Sequence, residues 1–238
     1  INCGILSGGN NSGCFGNRSN ITNSNVETSI FNYELNIKIL LEGFKVETIL
    51  EGIAYIHNMH LNNDKIISYI EEINKKKNTL LRIDNRPHLT MNLSFLDNEN
   101  DIEEETYIKD LIINEFHPIV YEQLNKIGIN NLAPRQRFAP SKLMPGMDCE
   151  VHIDGPKEFA YQIYLNDNFE GGETFYPEEN LYIKPRPGHL VIFKSSLPHG
   201  VTTVEKNPRY TITSNFGPNL TGSKYVPSPI DSDWVDIY

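Results

Sequence analysis

The chain has 238 residues, 39% of them hydrophobic and 22% charged, with a formal net charge of −10; this suits one globular domain with an annex and argues against general affinity for a nucleic-acid backbone. Cys3, Cys14 and Cys149 are too few for a disulfide framework, so free thiols in a reducing compartment are the expectation, with a Cys3–Cys14 bridge as the alternative. No apolar run approaches the ~20 residues of a membrane span; the absence of a visible signal peptide and the few cysteines favour an intracellular location, while the start at Ile1, not Met, is compatible with trimming upstream.

Residues 1–29 are rich in Gly, Asn and Ser without apolar periodicity, which predicts a flexible arm. Residues 30–131 read as a mostly helical support region that opens on short apolar runs of uncertain type. Over "NDKIISYIEEINKKK", Ile66, Ile67, Ile70 and Ile73 share one helical face, Asn63 or Asp64 is placed to cap it and the lysines end it. In "ETYIKDLIINEFHPIVYEQLNKIG", Ile108, Leu111, Ile112, Phe116, Ile119, Val120 and Leu124 recur at helical spacing; Pro118 should kink or split this helix and Gly128 end it. His57, His60, His88 and His117 lie in this region and read as solvent-facing or capping residues.

From residue 132 short β-type runs alternate with Pro/Gly turns: "RQRFA", "CEVHI", "FAYQIYLN", "GETFY", "LYIKP", "HLVIF", "GVTTV" and "RYTITSNF". Runs this short and this evenly spaced predict a β-sandwich or jelly roll. The expected fold class is therefore α+β, a double-stranded β-helix (jelly-roll, cupin-like) core over 132–226 with an N-terminal helical layer. Residues 227–238 read as a C-terminal strap, with Trp234 packing it down.

His152 and Asp154 sit two positions apart in "EVHIDGPKEF", so an extended strand presents both on one side. A third ligand must come from a distant strand. His189 reads as a turn or edge residue, whereas His199 is bracketed by Pro198 and Gly200 at a strand start. Two histidines and one carboxylate form the facial triad of non-haem iron(II) oxygenases, with coordination positions left open. Ten residues after His199 comes Arg209, and "GVTTV" and "RYTIT" read as a hairpin on the turn "EKNP" that folds Arg209 back beside the His199 strand. A guanidinium in a partly dry site can hold a carboxylate bidentately.

From about Arg137 to Phe216 these residues resemble the Fe(II)/2-oxoglutarate dioxygenases, specifically the prolyl 4-hydroxylase-like branch. The resemblance is carried by "HID", by "YLNDNFEGGETFYPEENLYIKPRPGHLVIF" and by "LPHGVTTVEKNPRYTITSNF", in order and at compatible spacing. It implies that His152, Asp154 and His199 bind Fe(II), that Arg209 and Tyr164 hold the distal carboxylate of 2-oxoglutarate, and that Thr211 and Thr213, on the Arg209 face of their strand, line the cosubstrate pocket. Alternation puts Tyr164 on the face of Gln162, opposite Tyr161, Ile163 and Leu165. The implied reaction consumes O2 and 2-oxoglutarate, releases succinate and CO2 and hydroxylates an unactivated C–H, with ascorbate as a further reductant. The carboxylate of Asp154 favours hydroxylation over halogenation. The implied substrate is proline in a peptide, a protein or the free amino acid.

The sequence departs from that family in three places. Lys is usual in collagen-type prolyl 4-hydroxylases where Arg209 stands; Leu143 and Lys142 occupy the positions where a tyrosine often precedes HxD, beside a loop, "APSKLMPGMD", that reads as an insertion; and a usual tryptophan is replaced around Asn215. Two other readings compete: another branch of the superfamily, acting on a different side chain, a small molecule or nucleic acid, and a non-catalytic cupin-like binding module. On the iron-triad reading, residues 155–159 form the lip of the substrate channel. The sequence does not indicate an oligomeric state.

Overall fold

The computed structural model describes residues 45–50, 53–57, 59, 61–78, 81–82, 89–96, 98–126, 128–154, 159–220, 222–225 and 235–236. The arm, Cys3, Cys14, His60, His88, Trp234 and residues 155–158 lie outside the described residues.

Residues 30–131 contribute strands as well as helices. A hairpin of β1 (Lys45–Leu50) and β2 (Ile53–His57) is followed by α1 (Asn63–Lys77), then by the short β3 (Leu81–Arg82), β4 (Leu89–Thr90) and β5 (Leu93–Ser94). Helix α1 buries Ile66, Ile70 and Ile73 and half-buries Ile67, as its apolar period requires. Its cap is Asn62, one residue earlier than expected: the Asn62 side chain accepts the Lys65 N–H at 3.1 Å. The helix ends in Lys75, Lys76 and Lys77, and Asn78 takes the left-handed conformation at φ 50°.

The second helical stretch runs as α2 (Glu103–Leu111), a π-helical turn (Ile112–Phe116) and α3 (His117–Lys126). Pro118 has no N–H to give, and its ring would press on the carbonyl four residues back. The helix accommodates it by widening instead of splitting: the His117 N–H reaches back to the Ile112 carbonyl. Gly128, at φ +79°, ends the stretch, and Ile129 N–H donates to the Leu124 carbonyl at 2.9 Å. His117 corrects the sequence reading, because it is buried between Phe95, Tyr161 and Phe216 and lies 3.2 Å from the Tyr161 hydroxyl. Burial, with the nearby Lys224 charge, pushes its pKa down to about 3, so it sits neutral in the core.

The remaining strands are β6 (Leu132–Leu143), β7 (Cys149–Ile153), β8 (Phe159–Tyr164), β9 (Glu170–Gly171), β10 (Thr174–Tyr176), β11 (Leu181–Ile183), β12 (His189–Lys194), β13 (His199–Val201), β14 (Val204–Glu205), β15 (Arg209–Pro218) and β16 (Val235–Asp236). Two antiparallel sheets face each other. The larger has the order β1-β2-β12-β8-β15-β6-β4-β3, with β5 also on β6, and the smaller has the order β11-β10-β13-β7-β16. Together they make the jelly-roll core that the spacing of short strands predicts. Strand β6 is longer than "RQRFA" because it runs on through Pro140, so only residues 144–148 of "APSKLMPGMD" form a loop. The Pro140 carbonyl accepts the Met91 N–H at 2.9 Å, and a residue's nitrogen faces the same side as its carbonyl. The missing donor therefore points at the break between β4 and β5, and β15 loses nothing.

Alternation sorts the large sheet's side chains. Tyr161 and Ile163 of β8, Leu190 and Ile192 of β12, and Ile212 and Phe216 of β15 pack in one core with the helix residues Ile70, Ile112 and Phe116. Ala160 and Tyr164 of β8 and Val191 and Phe193 of β12 pack inward with Tyr176 and Ile183 of the smaller sheet. Burying each of these large side chains stabilises the fold by about 1.5–3 kcal/mol. The helical layer thus covers the outer face of the large sheet, and the inner face is left to build a site.

Candidate active site

His152, on β7, and His199, the first residue of β13, are direct cross-strand partners. Asp154 follows the end of β7, where its N–H is anchored on the Ser195 carbonyl at 2.9 Å. The three side chains offer ligand atoms that all lie within 4.8 Å of one another. Asp154 Oδ1 is 3.5 Å from His152 Nε2, and Asp154 Oδ2 is 3.7 Å from His199 Nε2.

Both rings are oriented through their other nitrogen. His152 Nδ1 lies 2.9 Å from the Glu150 carbonyl and His199 Nδ1 lies 2.8 Å from the Leu197 carbonyl. A carbonyl only accepts, so each Nδ1 carries a proton and each Nε2 is turned to the centre, where loss of its own proton would free a lone pair for a metal. Burial disfavours a charged His152, yet hydrogen bonds to Asp154 and Cys149, with their charges, push its pKa up to about 10. The cluster therefore favours a positive charge at its centre, and two imidazoles with one carboxylate fit a divalent transition metal.

Arg209, the first residue of β15, approaches the interior from the larger sheet and is 1% exposed. It does not reach the site by the expected hairpin. "GVTTV" breaks into β13 and β14, β13 pairs with β7 and β10, and β15 pairs with β8 and β6. His199 and Arg209 thus come from facing sheets, because jelly-roll pairing is set by long-range contacts and not by nearness in sequence.

Arg209 Nη2 donates to Thr174 Oγ1 at 3.1 Å and to Gln162 Oε1 at 3.3 Å. The Tyr164 hydroxyl donates to Thr174 Oγ1 at 2.8 Å, and that threonine donates in turn to Gln162 at 2.9 Å. The Arg209 guanidinium carbon stands 5.5 Å from the Tyr164 ring centroid. Arg209 Nε is buried without a hydrogen-bond partner among the described residues, and burial pulls the pKa of the guanidinium down. A buried cation held by neutral acceptors alone is costly unless an anion joins it. This observation fits the distal carboxylate of 2-oxoglutarate.

Thr211 is buried and lies in register with Tyr164, while the half-buried Thr213 gives its hydroxyl to the Ala139 carbonyl at 3.3 Å. Leu143, in register with Arg209, packs with Phe169, Val201 and Val204, so an apolar side chain takes one of the two positions before HxD. Lys142 turns instead to Glu71 of α1, at 2.7 Å. His189 opens β12, an inner strand, and pairs with Tyr164, so it is no edge residue. Gly171 and Gly172 have φ of +65° and +68°. A Cβ on Gly172 would come within 2.7 Å of the Phe169 ring and 3.1 Å of Arg209 Cδ, so the second glycine keeps room for the Arg209 stem.

Thr174 and Tyr176 were not singled out by the sequence reading, which placed both in the β-type run "GETFY" without assigning their faces. The available signal was period two: from Thr174 to Tyr176 both point inward and are buried, whereas Phe175 faces out and stacks on Tyr182.

Residues 140–217 match the family described as the 2OG-Fe(II) oxygenase superfamily. Human prolyl 3-hydroxylase 3 is 29% identical over 87 residues, 34% of this chain and 11% of that protein. The chain spans about a tenth of the length of the curated relatives it matches. Among solved structures, a prolyl hydroxylase of Trichoplax adhaerens, in complex with a hypoxia inducible factor oxygen degradation domain peptide fragment, is similar with a TM-score of 0.55 and 16% identity, covering 84% of this chain and 94% of that one. A viral collagen prolyl hydroxylase from Paramecium Bursaria Chlorella virus-1, in complex with 2OG, has a TM-score of 0.51 and 18% identity, covering 71% of this chain and 99% of the other. These likenesses bear out the fold.

Proposed function

We infer that this protein, a 2OG-Fe(II) oxygenase over residues 140–217 with the fold of a prolyl hydroxylase, is an iron(II)- and 2-oxoglutarate-dependent hydroxylase of prolyl residues in a peptide. One observation carries the reading. A His152–Asp154–His199 cluster shaped for a divalent metal shares the interior with a buried Arg209 whose hydrogen bonds run to the neutral oxygens of Thr174 and Gln162 and whose Nε has no hydrogen-bond partner among the described residues.

Nε2 of His152, Nε2 of His199 and the Asp154 carboxylate would hold the metal, with positions left for other ligands. Bound iron(II) supplies the activation of O2, coupled to decarboxylation of 2-oxoglutarate to succinate and CO2, by which one oxygen atom enters a substrate C–H. Arg209 takes the distal carboxylate, and Tyr164 and Thr174 keep the guanidinium aligned before it arrives. Apolar neighbours such as Val191 and Phe193 exclude water from the same space. Ascorbate serves as a reductant that keeps the metal ferrous.

The test is incubation with Fe(II), 2-oxoglutarate, ascorbate and proline-rich peptides, read by succinate release and by mass spectrometry. The expected product gains one oxygen on proline, and separation of the hydrolysed amino acids assigns C4, in line with the 4-hydroxylase-like motifs. The similarity to prolyl 3-hydroxylase 3 favours C3 as the second reading. No turnover of 2-oxoglutarate by the metal-loaded protein would overturn the proposal.

A further inference from the structure

Two buried polar atoms without a partner among the described residues belong to side chains between the facing sheets: Arg209 Nε and the Tyr176 hydroxyl. Tyr176 is 1% exposed and packs with Tyr164, Val191 and Phe193. Strand β10 pairs Thr174 with Val201 and Phe175 with Gly200, and continuing that register sets Tyr176 across from His199, itself the partner of His152. Its ring is 5.9 Å from the His199 ring. Two residues earlier on the same face, Thr174 is bonded to Tyr164 and Arg209. The inner face of β10 therefore runs from the Arg209 pocket to the histidines, with one hydroxyl engaged at the arginine end and one open at the other.

An unsatisfied buried hydroxyl is destabilising, and a phenylalanine would fill the same space without that cost. A phenol keeps its proton at neutral pH, so the Tyr176 hydroxyl is a donor. A donor in this position calls for an acceptor brought by a ligand.

We propose that the Tyr176 hydroxyl donates a hydrogen bond to the triad-side carboxylate of 2-oxoglutarate, making Tyr176 a cosubstrate-binding residue at the end opposite Arg209. This rests on the reading of the site given above. It assigns a polar role to a motif aromatic whose ring alone would serve packing.

The test is isothermal titration of 2-oxoglutarate into the Mn(II)-loaded protein, wild type against Tyr176→Phe, with Mn(II) affinity and the melting temperature of the ligand-free protein measured alongside. About a tenfold weaker affinity for 2-oxoglutarate is expected, with Mn(II) affinity unchanged and a melting temperature equal to or above that of the wild type. Tyr176→Met, also apolar and lacking the donor, should show the same loss. Affinity within twofold of wild type would overturn the proposal while leaving the cosubstrate reading intact, and so would a lowered melting temperature with undiminished affinity. Failure of the wild-type protein itself to bind 2-oxoglutarate would overturn both.

Discussion

Replacing Arg209 by Met separates the two things this residue does. Without ligand, Arg209 is 1% exposed, its guanidinium makes two bonds to neutral oxygens at 3.1 and 3.3 Å, and Nε has no hydrogen-bond partner among the described residues. Hydrogen bonds of a charged donor are worth about 1.5–3 kcal/mol each, while the effective penalty for burying an ion is several kcal/mol. The two nearly cancel, and Thr174 and Gln162 keep their mutual bond at 2.9 Å in the variant. Arg209→Met should therefore melt at or above the wild-type temperature when no cosubstrate is present. With Mn(II) and 2-oxoglutarate at 100 times its Kd, the wild type gains about 2.7 kcal/mol. For a chain of this size that raises the melting temperature by roughly 5–11 °C. Truncating one member of a buried charge pair costs about 2–5 kcal/mol of binding, so the same ligand concentration should shift the variant by about 3.5 °C or less. Differential scanning fluorimetry of the two proteins, each with and without 2-oxoglutarate, reads both effects. A ligand-free variant that melts well below wild type yet retains the full ligand shift would refute the assignment of an anion-binding role.

Three further outcomes are expected. Between pH about 6.5 and about 3 the unfolded chain protonates the residue at 117 while the folded His117 stays neutral; stability should fall as pH drops through that window, by up to about 1.4 kcal/mol per pH unit, and His117→Gln should flatten that part of a urea-midpoint profile. Gly172→Ala places a Cβ 2.7 Å from the Phe169 ring in a left-handed backbone at φ +68°, and should cost about 1–3 kcal/mol in chemical denaturation while also weakening 2-oxoglutarate binding through the Arg209 stem. His199→Ala removes one of three ligands and should lower metal affinity by more than tenfold in a competitive chelator titration, with 2-oxoglutarate-dependent succinate formation lost; unimpaired turnover would contradict the role given to His199.

The helices were readable because their apolar period is local: Ile66, Ile70 and Ile73 are three and four residues apart and bury together whatever they pack against. Strand faces were equally readable, which is why Tyr164 and Gln162 could be set opposite Tyr161 and Ile163 before any partner strand was known. Where the reading failed, the cause was long-range. His117 looked like a helix-surface residue, but the helical layer settles on the large sheet with that position against Phe216 and Tyr161. Asn62 won the cap from Asn63 and Asp64 by one residue, a choice that depends on where the chain turns into the helix.

By itself, then, the sequence of this protein determined which residues carry ligand chemistry and which side of each strand or helix they occupy, since both follow from side-chain type and backbone period. Only the tertiary structure decided that His199 pairs with His152 while Arg209 arrives from the opposite sheet, and that Thr174 and Tyr176 line the space between them. Strand partners are chosen by the burial and hydrogen bonding of whole sheets, and distance along the chain does not encode that choice.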